Sequence, residues 1–289
     1  MATSPDKLIV LDYSGTLSLE APLFAGPDSL MDELALSGLQ NFGIDCPHVF
    51  WEKLVNPTWQ EGSTTPAGYK MVLSDRIIAV LRPDLPMQQR KLLDAAVGVF
   101  VDRYLKRSRI DPRWEPILRR IRGTSSVVTV IATDHYAEAT DAIIRFLAEW
   151  MIGAVSLADA ASGSQGVAFV VANSADMGCR KADPRFWQTL KTSLSLDALR
   201  HILLIDDFGC NEQEGDAYRE RQTVENRMNK TVNTIESVFS VAVDVLPAMI
   251  RTADVPLVDR FEHLVGQAES SIDRFLAIGR IERQATPSA

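Results

Sequence analysis

The sequence predicts an α/β fold in which a parallel sheet is interrupted once by a long helical insert. The first observation is a set of short apolar segments, at 8–11, 127–132 and 201–205, each followed directly by a polar residue. Segments that are apolar at successive positions are typical of strands covered by helices on both faces. The second observation is the stretch 20–123, where apolar residues recur every three or four positions and no strand pattern occurs.

The composition is that of an ordinary globular protein. The chain has 289 residues, of which 46% are apolar and 24% charged, enough for one large or two modest hydrophobic cores. Its net charge is −8 and its pI about 5.1, and no basic cluster offsets this, so nucleic acid is not an expected partner. An anionic substrate would therefore need local help from a metal ion, a lysine or backbone N–H groups.

Neither a disulfide framework nor a membrane segment is expected. Cys46, Cys179 and Cys210 are widely spaced and form no Cys-x-x-Cys pair. The amino terminus lacks the charged-then-apolar pattern of a secretory signal, and the longest apolar runs are too short to span a bilayer. We therefore expect a cytoplasmic protein that does not enter a membrane.

The first strand leads to the first candidate residue for chemistry. Residues 8–11 form the strand with Lys7 leading in, Asp12 stands at its end, and Gly15 allows a sharp turn soon after it. In open parallel sheets, ligands bind beyond the carboxyl ends of the strands. Asp12 is therefore either a functional residue or a polar residue that caps a turn.

Five segments of the insert have the apolar spacing of helices, and prolines separate several of them. The segments are 28–41, 48–55, 68–82, 86–107 and 113–122. A further segment, 56–66, is rich in hydroxyl groups and turn formers and contains Trp59. We interpret it as a loop, either a plain surface connection or a substrate-facing loop on a lid.

The alternation of strands and helices returns after residue 123. Thr133 follows the second strand, Asp206 and Asp207 follow the strand at 201–205, and Lys181 precedes a helix that begins at Pro184. The other expected elements are a helix at 136–150, a turn rich in Gly, Ser and Ala at 158–166, a strand at 167–172, a helix at 184–194, a charged helical stretch at 212–238, a strand at 239–245 and one or two amphipathic helices at 255–283.

Four segments, in chain order, resemble the motifs of the haloacid dehalogenase (HAD) superfamily. The turn from Asp12 through Gly15-Thr16 is similar to the first motif, and Thr133 matches the hydroxyl of the second. Lys181, followed by Asp-Pro and aromatic residues, resembles the third motif, although Ala182 replaces the usual proline. The apolar run that ends in Asp-Asp at 206–207 resembles the fourth.

The resemblance implies a domain organisation. A Rossmann-like, HAD-like parallel sheet core would comprise 1–19 and 124–250. The insert at 20–123 would be a helical cap domain that closes over the cleft and contributes specificity. Residues 251–289 would form a C-terminal helical extension, which the resemblance does not cover.

The resemblance also implies a reaction. Asp12 would attack a phosphoryl group and carry it as an aspartyl-phosphate. Lys181 would neutralise the nucleophile and the phosphate, and Thr133 would bind phosphate oxygens. Magnesium is the implied cofactor, since it prefers oxygen ligands. Its implied ligands are Asp12, Asp207, the neighbouring Asp206 and the backbone carbonyl of Ser14.

Ser14 departs from the phosphatases of the superfamily. They have an aspartate there, which protonates the leaving group and later activates water, a contribution of about a hundred- to ten-thousandfold. A serine hydroxyl does not titrate near neutral pH and cannot replace it. His135 either supplies the missing acid or has no chemical role. Asp134 is a candidate N-cap of the next helix, and Asn211 or Glu212 would complete the environment of the metal ion.

The expected function is that of a magnesium-dependent phosphatase or phosphotransferase acting on a small phosphorylated metabolite. One alternative is a catalytically weak relative that binds phosphorylated ligands or a protein partner. The other is a phosphonate hydrolase, which would need a lysine from the cap. Lys53 lies at a comparable distance along the chain from Asp12, but on the polar side of its segment. Neither the substrate nor the oligomeric state follows from the sequence.

Overall fold

Six parallel strands form one sheet, which confirms the predicted α/β fold. The structure is a computed structural model that describes residues 5–124, 126–163, 169–213, 215–250 and 255–278. The strands are β1 (Lys7–Leu11), β2 (Val127–Thr133), β3 (Ala154–Ser156), β4 (Phe169–Asn173), β5 (His201–Asp206) and β6 (Val243–Pro247). Their order is β3-β4-β2-β1-β5-β6, and every neighbouring pair is parallel. The strand β1 therefore lies between β2 and β5.

Helices occupy most of the remaining described chain. Those between β1 and β2 are α1 (Ala21–Phe24), α2 (Pro27–Ser37), a 3₁₀ turn (Leu39–Phe42), a π-helical turn (Val49–Val55), α3 (Asn56–Gly62), α4 (Tyr69–Leu81), α5 (Met87–Arg107), a 3₁₀ turn (Pro112–Trp114) and α6 (Glu115–Arg122). The later ones are α7 (Glu138–Glu149), α8 (Leu157–Ala161), α9 (Ser174–Met177), α10 (Pro184–Ser193), a 3₁₀ turn (Ala217–Arg219), α11 (Arg221–Phe239) and α12 (Leu257–Ala277).

Helices cover both faces of the sheet. Ile9 and Leu11 of β1 belong to an apolar cluster that includes side chains of α6, α7 and α12. Leu8 and Val10 belong to a second cluster, which includes side chains of α10 and α11. Successive side chains of a strand point to opposite faces, so a strand covered on both faces is apolar at successive residues, as β1 is from Leu8 to Leu11. The core is accordingly Rossmann-like.

The helices between β1 and β2 build a hydrophobic core of their own. Its fully buried members include Leu30, Leu54, Ile77 and Val97, from four different segments. We call this helical body, from α1 to α5, the cap. The helix α6 follows the cap in the chain but packs on the sheet, where it contributes apolar residues to the cluster that contains Ile9.

The prediction of a loop at 56–66 is wrong, because Asn56–Gly62 is the helix α3. Pro57 falls in the first turn, where the missing N–H matters least. The hydroxyl groups that suggested a loop are used inside the helical segment. The hydroxyls of Thr58, Ser63 and Thr64 each donate a hydrogen bond to the carbonyl four residues earlier, over 2.6 to 2.7 Å.

Two other boundaries differ from the prediction, and a third segment agrees with it. The strand expected at 239–245 is Val243–Pro247, because α11 continues to Phe239 and ends at Ser240, whose φ of 56° is left-handed. The turn expected at 158–166 begins as α8, and its residues 164–166 lie outside the described residues. The expected helices at 255–283 are the single helix α12, with 279–283 outside the described residues.

Within the described part of the chain, no helix combines the length and the apolar content that crossing a membrane requires. The finding agrees with the absence of long apolar runs in the sequence.

Candidate active site

The carboxyl ends of β1, β2 and β5 bring four of the predicted residues together. Asp12 follows β1, Thr133 ends β2, Asp206 ends β5 and Asp207 follows it. All four side chains are buried and line one cleft. The convergence follows from the topology, since the ends of neighbouring parallel strands lie at the same edge of the sheet.

Lys181 joins this group from the segment before α10. Its ammonium group donates hydrogen bonds of 2.6 Å to Asp12 Oδ1 and to Asp206 Oδ2, and the residue is only 4% exposed. Two side chains form hydrogen bonds with the backbone of Lys181. Its N–H donates to Asp134 Oδ1 (2.9 Å), and its carbonyl accepts a hydrogen bond from Trp187 Nε1 (2.6 Å).

The charges around Lys181 do not balance. Carboxylate oxygens of Asp12, Asp206 and Asp207 lie within 4.8 Å of one another. Burial lowers the pKa of Lys181, but Asp12 and Asp206 outweigh it and hold that pKa well above the usual value. Burial raises the pKa of Asp12; Lys181 opposes this, and the other two carboxylates add to it. Burial and Asp206 raise the pKa of Asp207 to about 7. Three buried carboxyl groups beside one ammonium group therefore fit a hard divalent cation.

The loop after β5 orients Asp207. Its Oδ1 accepts a hydrogen bond from the N–H of Gly209 (3.0 Å), and its Oδ2 accepts one from the N–H of Asn211 (2.9 Å). Gly15 approaches the same carboxylate from the β1 side. A Cβ at Gly15 would lie 2.4 Å from Asp207 Oδ2, and the φ of Gly15 is 75°. Glycine is therefore required there both for the turn and for the close approach.

Asn211 ties three segments together. Its side-chain amide donates to the carbonyls of Gly15 (2.8 Å) and Ala248 (2.7 Å), while its Oδ1 accepts from the N–H of Ile250 (2.9 Å). These bonds use both donor hydrogens of the amide. Asn211 thus fixes the turn after β1 against the chain that follows β6.

Ser14 lies next to a carboxyl group that is distant in the sequence. Its hydroxyl donates a 2.9 Å hydrogen bond to Glu212 Oε1. Burial, followed by the charges of Asp216 and Asp207, raises the pKa of Glu212 well above its usual value. The sequence suggested Glu212 only as part of the metal environment. Nothing in the local pattern indicated its contact with Ser14, because 198 positions separate the two residues.

The cap closes the cleft from above. Glu138, in the first turn of α7, accepts hydrogen bonds from the backbone N–H groups of Tyr69 (2.7 Å) and Lys70 (3.3 Å), and so caps α4 from the core side. Arg180 Nε donates to Ser63 Oγ (3.1 Å). The space between the cap and the core, including its open mouth, is about 800 Å³.

Aromatic side chains form much of the cleft wall, and the sequence did not identify them as a group. Trp59 of α3 lines the cleft, as the lid alternative for 56–66 expected, although in a helix and not in a loop. The other aromatic residues of the wall are Phe24, Phe50, Trp51, Tyr69, Phe100, Tyr104, His135, Tyr136 and Tyr218. Apart from His135, which the sequence singled out as a candidate acid, nothing in the sequence distinguishes them from core residues.

His135 lies at the boundary between core and cap. It is 4% exposed, and burial lowers its pKa to about 4. Its Nδ1 accepts the N–H of Tyr136, and its Nε2 lies 2.9 Å from the hydroxyl of Tyr104. A ring that is neutral at pH 7 has no surplus proton to give. The lowered pKa therefore does not favour His135 as the missing acid.

The structure also shows the positions of Asp134 and Lys53, for which the sequence suggested roles. Asp134 is not the N-cap of α7, whose N-cap is Ala137 without a side-chain hydrogen bond. Asp134 instead accepts hydrogen bonds from the Lys181 N–H and the Tyr218 hydroxyl. The side chain of Lys53 is exposed on the cap. Among the described residues, Lys181 is the single lysine that lines the cleft.

The chain was also compared with known proteins. No family model matches it, and no curated protein matches it. One similar solved structure is a phosphonoacetaldehyde hydrolase-like protein from Oleispira antarctica, which is 12% identical. The match covers 92% of this chain and 95% of that one, with a TM-score of 0.35. We draw no inference from a similarity of this size.

Proposed function

We propose that the chain is a magnesium-dependent phosphatase or phosphotransferase of HAD type that acts on a small phosphorylated metabolite. The observation that carries the proposal is the bridge from Lys181 to Asp12 and Asp206 beside Asp207, at the carboxyl ends of three adjacent strands. The motif resemblance also supports the proposal, since Asp12, Lys181 and the Asp206–Asp207 pair match the motifs of the superfamily in the sequence.

Asp12 is the proposed nucleophile. One of its carboxylate oxygens attacks phosphorus, and the new O–P bond forms as the bond to the leaving oxygen breaks. The leaving oxygen takes up a proton and departs as an alcohol. Water or another acceptor then attacks the aspartyl-phosphate, and Asp12 is restored as a carboxylate. Lys181, held against Asp12 Oδ1, keeps that carboxylate charged and oriented.

The phosphate oxygens are assigned two further partners, which are the metal ion and a hydroxyl group at the end of β2. Asp12, Asp207, Asp206 and the Ser14 carbonyl would hold the magnesium ion, which would supply positive charge for the phosphate oxygens when bound. The Thr133 hydroxyl is assigned to the phosphate, because it stands at the end of β2 on the cleft wall. The cap covers the cleft and would limit the access of bulk water to the aspartyl-phosphate.

A second candidate is a relative that binds phosphorylated ligands without turning them over. The observation that favours it is Ser14, which has no ionisable group at the position of the phosphatase acid. The phosphonate hydrolase alternative has less support, because within the described residues the cleft has no lysine besides Lys181.

The test is magnesium-dependent hydrolysis of an aryl phosphate by the wild type and by Asp12→Asn, with Asp244→Asn as the matched control. Asp244 is exposed on β6, outside the cleft. We expect turnover in the wild type and the control, none in Asp12→Asn, and magnesium-dependent binding of inorganic phosphate in all three. Phosphate binding without turnover in the wild type would favour the binding protein. Turnover that survives in Asp12→Asn would exclude the proposed nucleophile.

A further inference from the structure

Two buried polar atoms on the cleft wall lack a hydrogen-bond partner. They are the indole nitrogen of Trp59 and the hydroxyl of Tyr136, and neither is paired within the described residues. Tyr136 is 4% exposed, and both residues line the cleft. Buried polar groups in folded proteins are nearly always paired, so an unpaired one calls for an explanation. The indole N–H can only donate, so its partner must be an acceptor.

A third group, the Tyr104 hydroxyl, is also directed to act as a donor. The Tyr136 N–H donates to His135 Nδ1, so this nitrogen carries no proton. In a neutral imidazole the proton is then on Nε2, which lies 2.9 Å from the Tyr104 oxygen and donates to it. Burial keeps the pKa of His135 at about 4, in agreement with a neutral ring. The hydroxyl hydrogen of Tyr104 is then not used by His135, Ser108 is the other side-chain hydrogen-bonding neighbour of Tyr104, and Tyr104 lines the cleft.

The aromatic rings of the same wall are poorly suited to binding a cation on their faces. Arg227 lies 3.2 Å from the ring centroid of Tyr218, and Arg180 lies 5.8 Å from that of Trp59. Tyr69 and Tyr136 cover each other's faces, with centroids 4.0 Å apart. These rings therefore have few free faces to offer to a ligand cation.

A second negative charge on the ligand is disfavoured as well. Glu212 and Asp216 line the cleft on the side of Ser14. Phe24, Phe50 and Phe100 make the rest of the nearby wall apolar. An uncharged group with one acceptor atom satisfies the donors without placing a second negative charge beside these carboxyl groups.

We propose that the organic part of the substrate is uncharged and largely apolar, and carries a hydrogen-bond acceptor such as a carbonyl oxygen or a ring nitrogen, which Tyr104 and Tyr136 bind. This inference rests on the proposed function, because the phosphate end occupies the carboxylate and lysine site. Tyr104 and Tyr136 are thus specificity residues, and Trp59 adds a third donor. A site that offers buried donors discriminates strongly against a ligand that lacks the acceptor.

The test uses two non-hydrolysable probes of nearly equal shape, 4-acetylbenzylphosphonate and 4-ethylbenzylphosphonate. Their dissociation constants are measured by calorimetry with magnesium for the full-length protein. We expect the acetyl probe to bind about tenfold more tightly to the wild type, from one to two net hydrogen bonds. Tyr104→Phe and Tyr136→Phe each remove one hydroxyl and keep the ring, and each should reduce this ratio about threefold or more.

Thr231→Val is the matched control. Thr231 in α11 also has a buried hydroxyl without a partner in the described chain, but it is not on the cleft wall. The variant should keep the wild-type ratio. A purely structural role of the tyrosines would weaken both probes equally and leave the ratio unchanged, which would overturn the inference.

The other outcomes separate the two proposals. Equal binding of both probes by the wild type would overturn the inference and leave the proposed function standing. Binding of neither probe, with magnesium present, would overturn the proposed function and the inference with it. A ratio that falls in Thr231→Val as far as in Tyr104→Phe would also overturn the inference, because the selectivity would then not depend on the cleft.

Discussion

His135 should make the protein less stable in mild acid by an amount that the structure specifies. Burial lowers its pKa from 6.5 to about 4, so the unfolded chain binds the proton more readily than the folded one between these values. Stability then falls as the pH drops through this window. With about 1.4 kcal/mol per pKa unit, the loss reaches about 2 kcal/mol at pH 5 and about 3 kcal/mol at pH 4.

Urea unfolding of the wild type and of His135→Gln, from pH 7.5 to pH 5, isolates this contribution. Other titrating groups act in both proteins and cancel in the difference. We expect the stability of the wild type relative to the variant to decrease by about 2 kcal/mol over this range. The exposed His263, changed to Gln, is the control and should follow the wild-type profile. A difference between wild type and His135→Gln that does not change with pH would refute the reasoning.

Three further predictions concern the site and the cap. Gly15→Ala should abolish turnover and destabilise the protein by about 1–3 kcal/mol, whereas Gly43→Ala has a similar φ of 91° and open space, and should only destabilise; thermal unfolding and turnover assays separate the two. Lys181→Met should lower kcat at least about a hundredfold, because the neighbouring carboxylates lose their cation; unchanged kcat would contradict its assigned role. Glu138→Ala should release the amino end of α4 and raise KM severalfold at little cost in overall stability, measured by steady-state kinetics and urea unfolding; an unchanged KM would exclude a role in holding the cap.

Ser14 replaces the aspartate of the phosphatase motif, but its hydroxyl contacts another carboxyl group, that of Glu212. The sequence alone suggests that the site lacks a carboxyl group beyond the nucleophile at this position. In the structure, the Ser14 hydroxyl donates to a carboxyl group that comes from the loop after β5. The substitution of serine for aspartate is therefore accompanied by a carboxyl group from elsewhere in the chain, and Glu212 belongs with Ser14 in any mutational study of the cleft.

The parts of the fold that were predictable are those that depend on local sequence. β1 is apolar at each of Leu8 to Leu11 because both faces of the central strand are covered, and that pattern is visible in the sequence itself. Boundaries failed where local signals were ambiguous. The hydroxyl-rich segment around Thr58 resembles a loop, yet its hydroxyls are satisfied by helix carbonyls.

The sequence by itself determined the α/β fold class and the positions of Asp12, Thr133, Lys181 and the Asp206–Asp207 pair, because each of these lies next to a strand or helix whose pattern is local. Only the tertiary structure decided which other residues surround these positions. The Ser14–Glu212 pair, the neutral His135 and the unpaired donors of the cleft wall depend on contacts between segments far apart in the chain. The first contact is set by the pairing of β1 with β5, and the others by how the cap packs on the core. Side-chain spacing within one segment does not indicate which distant neighbour a residue will contact.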